Sequence, residues 1–64
     1  MKLWTYVGEN AIVELMNGKK FVGKVTNFED EIANNSGENS IHFDDGIGLY
    51  DFDESEIKSI EILE

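Results

Sequence analysis

Between Leu3 and Phe28 apolar and polar positions alternate with a period of two around an Asn-Gly pair. Ala11, Val13 and Leu15 share one side of an extended segment, and Phe21, Gly23 and Val25 continue the alternation on the way back, with Phe28 beyond. A period of two is the mark of a half-buried strand. Asn17-Gly18 between the two runs predicts a tight type I′ hairpin, whose central residues both need φ > 0. Asp45-Gly46 predicts a second turn of the same chemistry. The pattern predicts strands over Ala11–Met16, Lys20–Glu29, Ser40–Asp44, Ile47–Phe52 and Ile57–Leu63, and no segment sustains a 3.6-residue apolar repeat. Asp30 to Asn39, rich in Asn, Ser, Gly and acid, reads as a loop, and Asp53-Glu54-Ser55 as a single 3₁₀ turn. Met1 to Tyr6 suits either a strand or a short helix that packs Leu3 and Val7 onto one end of the fold.

Gly23 stands in the longest predicted strand. Glycine weakens a strand, so its presence marks a bulge, a bend or a close backbone approach. A five-stranded sheet curls into a barrel only if its strands bend strongly, and Gly23 is the expected bend point. The expected fold is all-β: one domain over residues 1–64, a small, strongly bent, five-stranded antiparallel barrel. Asn17, Gly18 and Gly23 are its fold-determining positions.

Leu3, Tyr6-Val7-Gly8, Val13-x-Leu15, Asn17-Gly18, Phe21-x-Gly23-x-Val25 and Phe28 together resemble the first motif of the Sm/Sm-like (LSm) proteins. The likeness covers about half of the chain, and other SH3-like barrels share the hairpin and glycine. It implies a short N-terminal helix followed by an SH3-like barrel, RNA contacts in the loops after the second strand and between the last two strands, and rings formed by pairing the fourth and fifth strands of neighbouring subunits. The matching positions depart from the motif at the ligand. Glu29 keeps an acid, but Ile32-Ala33 stands where Met-Asn is expected, with Asn34 one residue late. The second loop, normally basic, is Asp53-Glu54-Ser55. Carboxylates there repel a phosphate backbone, which argues against nucleic acid at the family's site.

Charge sharpens this. The net charge is −9, with no arginine. Residues 1–28 carry four lysines against two glutamates, net +2; residues 29–64 carry Lys58 against twelve acids, net −11. Such a chain is repelled by bulk nucleic acid and anionic membrane, and the acidity also keeps a small domain soluble. Lys19, Lys20 and Lys24 form a small positive spot without aromatic interleaving.

Catalytic chemistry is sparse. His42, the only histidine, lies between Ile41 and Phe43 and so faces away from the core, in solvent or an interface. No serine has a partnered base in a recognisable motif. Asp51-x-Asp53-x-Ser55 imitates the start of a calcium loop, but Glu56 and Ile62 stand where glycine and a bidentate acid belong. No cofactor or metal is expected. With no cysteine, and no basic-then-apolar N-terminal segment, the chain suits the cytoplasm.

The expected function is therefore non-enzymatic: a protein-interaction and self-association module whose partners are itself, another protein, or both. Ile57, Ile60, Ile62 and Leu63 are its candidate oligomer interface. Trp4, Tyr6, Asp51, Asp53, Glu54 and Glu56 are candidate partner-binding residues. One alternative is an acidic inhibitor, of the kind phages encode, that occupies a basic groove of a target. Another is an Sm-like RNA-binding ring that uses a different face.

Overall fold

The computed structural model describes residues Met1–Glu64. A 3₁₀ turn, Leu3–Tyr6, precedes five strands: β1 (Asn10–Leu15), β2 (Lys20–Glu29), β3 (Ser40–Asp44), β4 (Leu49–Asp53) and β5 (Ile57–Ile62). A second 3₁₀ turn, Glu54–Glu56, joins β4 to β5. All pairings are antiparallel, in a single sheet of order β4-β3-β2-β1-β5. No helix is long and apolar enough to cross a membrane.

β2 makes the sheet curl. Its first half, Lys20 to Lys24, pairs with β1; its second half, Lys24 to Glu29, pairs with β3. The register slips between Val25 and Asn27, so Thr26 is an extra residue that increases the local bend. Gly23 sits at the inside of this bend. A Cβ there would lie 2.7 Å from the Cα of Asp45 and 2.9 Å from the carbonyl carbon of Asp44, and closer still to the Asp44 carbonyl oxygen. The close backbone approach expected of Gly23 is thus made by the β3–β4 corner.

The curl lets inward-facing residues of all five strands share one core: Ala11, Val13 and Leu15 from β1, Val25 from β2, Ile41 and Phe43 from β3, Phe52 from β4 and Ile57 from β5. Phe21 reaches across the interior, with its ring centroid 4.8 Å from that of Tyr50 and 5.1 Å from that of Phe52. Leu3 closes one end and is fully buried, with Tyr6 packed beside it. The N-terminal segment is therefore the short-helix alternative. Val7 does not pack down as expected: the chain turns outward after Tyr6 and leaves Val7 exposed.

Both hairpin turns differ from the expected form. No residue other than glycine has positive φ, so Asn17 is not in the left-handed region; Gly18 alone is, at φ 89°. The Gly18 N–H donates to the Leu15 carbonyl and the Leu15 N–H to the Lys19 carbonyl. These bonds define a three-residue loop with its glycine at the bulge position. The Asn17 side chain instead accepts from the Lys19 N–H at 3.0 Å. At the second turn Gly46 has φ 90° and the loop is longer, because the Asp45 carboxylate accepts from the N–H groups of Ile47 (2.9 Å) and Gly48 (2.7 Å). That capture takes Ile47 out of the ladder, so β4 begins at Leu49.

Ser40 is fully buried, and its hydroxyl has no hydrogen-bond partner.

Candidate functional site: free strand edges and an acidic pole

The strand order leaves one side of β4 and one side of β5 unpaired. The bonds from the Asp45 N–H to the Gly48 carbonyl and from the Glu54 N–H to the Asn39 carbonyl frame the β3–β4 ladder. Antiparallel alternation then assigns the main-chain groups of Tyr50 and Phe52 to β3 and leaves those of Leu49 and Asp51 on the free side. On β5 the bond from the Leu63 N–H to the Asn10 carbonyl assigns Ser59 and Glu61 to β1. The main-chain groups of Ile60 and Ile62 are left free by the same alternation.

Each edge carries exposed apolar side chains. Leu49 is 81% exposed, and Ile47, in the turn before it, is 97% exposed. Ile62 and Leu63 are 42% and 40% exposed at the end of β5. The four residues read as an oligomer interface thus divide by position. Ile57 is a core residue, because the bulge at Lys58 turns it inward beneath Leu15; it is not available to a partner. Ile60 is half-buried against the core, while Ile62 and Leu63 lie open along the edge.

Carboxylates flank both edges. Asp51 and Asp53 alternate with core residues on β4, and Glu61 and Glu64 stand beside the exposed end of β5. Lys58 is the one lysine in an ion pair, with its Nζ 3.8 Å from Glu14 on β1. His42 lies on the outer face between β2 and β4. Its Nε2 is 2.9 Å from a Glu29 oxygen and 4.0 Å from an Asp51 oxygen, so this histidine is matched to acids on both neighbouring strands. A shallow hollow beside it is lined by Thr26, His42, Phe43, Leu49, Tyr50 and Asp51.

At one pole the loop from Asp30 to Asn39 folds onto the Glu54–Glu56 turn. The Asp53 Oδ1 accepts from the Asn34 side-chain amide (3.2 Å) and the Ser36 hydroxyl (3.0 Å). The Glu38 carboxylate accepts from the Ser55 N–H (3.0 Å) and hydroxyl (2.9 Å). The Asp53 N–H is closed by Glu56 at 3.1 Å, which completes a capping box over the turn. Asp53 and Glu56 are thus engaged in holding the two loops together. Glu54 lies 3.5 Å from the terminal amino group, and Asp51 faces His42. Glu31, Gly37, Glu38, Asn39, Glu54 and Ser55 line a wholly polar depression at this pole.

Trp4 and Tyr6 separate. Trp4 is 54% exposed and meets Phe28 edge-on at 6.1 Å, whereas Tyr6 turns into the core. Of the aromatic pair, Trp4 presents the larger outward surface.

The pole pairing that ties Glu38 to Ser55 and Asp53 to Asn34 was not visible in the sequence, where these residues are separated by 17 and 19 positions. The one usable signal was the abundance of Asn and Ser among the acids of the long loop. Comparison with family models, with curated proteins and with solved structures returned no match.

Proposed function

We propose that the chain is a non-enzymatic interaction module that self-associates by strand addition, the free edge of β4 in one copy receiving the free edge of β5 in the next. The supporting observation is the unclosed strand order: two edges with unpaired main-chain groups, each beside exposed apolar side chains. Strand addition satisfies the main-chain groups and covers Leu49 on one side and Ile62 and Leu63 on the other. Because the two edges differ, the contact is head-to-tail, which gives a ring if the rotation closes and a filament otherwise. The Sm-like character of the first half favours the same mode.

Multi-angle light scattering in about 1 M NaCl, where charge repulsion is screened, tests this. The wild type is expected above monomer mass, and Leu49→Lys or Ile62→Lys, each at an exposed position, is expected to return it to monomer with an unchanged circular dichroism spectrum. A folded wild type that stays monomeric at high concentration would refute the reading.

The acidic pole favours a second reading, an inhibitor that places its carboxylates in a basic groove of a target protein. The support is the convergence of Glu31, Glu38 and Glu54 at one depression, in the half of the chain that carries net −11. Binding to a basic protein is then expected to weaken steeply with salt. Salt-insensitive binding, or no loss on charge reversal at Glu31 and Glu54, counts against it. For RNA the same pole is unfavourable, since the two loops an Sm-like protein would use present acids to a phosphate backbone.

A further inference from the structure

Each free edge carries exposed apolar side chains next to carboxylates: Leu49 beside Asp51 and Asp53 on β4, and Ile62 and Leu63 between Glu61 and Glu64 at the end of β5. We infer that assembly through them is gated by charge: edge carboxylates hold copies apart at low ionic strength, and screening or neutralising them lets the strands pair. This rests on the strand-addition reading above and adds what controls it.

The argument is local. Antiparallel addition of β5 to β4 brings Asp51 and Asp53 of one copy to the strand of the next that bears Glu61 and is followed by Glu64. Like charges on paired strands are destabilising. The cation that could offset them, Lys58, is already 3.8 Å from Glu14 within its own sheet. His42 is matched to Glu29 at 2.9 Å and offers Asp51 only a distant partner at 4.0 Å. Every copy also brings a net charge of −9 to the assembly. Opposing this, the apolar gain from covering Leu49, Ile62 and Leu63 is insensitive to screening. Added salt therefore removes the repulsive part and leaves the attractive one.

The experiment measures association of the full chain by sedimentation equilibrium from about 10 mM to about 1 M NaCl, over which the Debye length falls from about 30 Å to about 3 Å. Asp51→Asn and Glu61→Gln are compared, singly and together, with Glu31→Gln, which removes the same charge from the exposed long loop. The expected result is wild-type association that tightens with salt, and a double variant that associates about tenfold more tightly than wild type at low salt. Glu31→Gln is expected to follow the wild type. Association that weakens with salt, ignores it, or responds as strongly to Glu31→Gln as to the edge variants overturns the inference while leaving strand addition standing. Wild type and double variant both monomeric throughout would overturn strand addition itself, and the inference with it.

Discussion

Gly23→Ala is the sharpest test of the fold, because a single methyl group is set against backbone. The added Cβ would lie 2.7 Å from the Asp45 Cα and 2.9 Å from the Asp44 carbonyl carbon, with the Asp44 carbonyl oxygen nearer than either. None of these is a side-chain tip that can rotate away. Relief requires the β3–β4 corner to back off from β2, which disturbs the Lys24–Asp44 pairing next to it. Overpacking of this kind costs about 1–3 kcal/mol, and a backbone obstacle places the expected loss at or above the top of that range, about 3 kcal/mol. A 64-residue domain has about 3–10 kcal/mol in total. At about 4–8 °C per kcal/mol the melting temperature should fall by about 12–24 °C. Gly48→Ala is the matched control. A Cβ there would meet only the Tyr50 ring and hydroxyl, at 3.4 to 3.7 Å, and the position has no positive φ. It is expected within about 1 kcal/mol of wild type, since the stiffer unfolded chain offsets the slight crowding. Thermal melts followed by circular dichroism decide the matter. Equal stability of Gly23→Ala and Gly48→Ala would show that the close approach at the bend does not govern the sheet's curl.

Three other expectations follow from single groups. The N–H groups of Gly48 and then Ile47 hold the Asp45 carboxyl below its ordinary value. Its contribution to stability is therefore complete above the unfolded Asp value of about 4 and is lost as pH falls through the lowered one. Urea melts should show wild type losing more stability than Asp45→Asn across that acidic window; parallel losses would contradict the clasp. The hydrogen bond to Asp45, and secondarily burial, raise the Tyr50 phenol above its ordinary value, and an ultraviolet titration should find one of the two tyrosines ionising late, a delay that Asp45→Asn shortens. Ser40→Ala removes a buried hydroxyl that lacks a partner, so it should leave stability unchanged or raise it by about 1 kcal/mol, and a loss above that size in a chemical melt would mean the hydroxyl is satisfied in solution.

What could be read from the sequence depended on how locally each feature is determined. The bounds of β2 and β3 follow from alternation interrupted by polar loops, and both strands run over the expected residues. β4 starts two residues late because the Asp45 side chain takes the Ile47 and Gly48 amides, a competition that alternation does not register. The hairpin at Asn17-Gly18 stands where it was expected but in another geometry, since one residue more or less in the loop turns on Gly18 alone. Ile57, Ile60 and Ile62 look equivalent along the chain. A one-residue bulge at Lys58 is what sends Ile57 to the core and leaves Ile62 at the rim. The matching of His42 to Glu29, like the tie between Glu38 and Ser55, is a product of register and of loop closure, to which composition is blind.

The pairing of β1 with β5 has a consequence for how the chain is made. Ala11 must wait for Ile62 before its outer side is covered, so everything between them has to emerge before β5 docks. Until then β1 to β4 form a meander that pairs in order of synthesis, with the far side of β1 unoccupied. Such late, sequence-distant closure is slow compared with hairpin formation. In that interval the vacancy beside β1 fits the β5 of a finished neighbour as well as its own. Exchange of the terminal strand between molecules, at high local concentration on crowded polysomes, is therefore the characteristic misassembly of this topology.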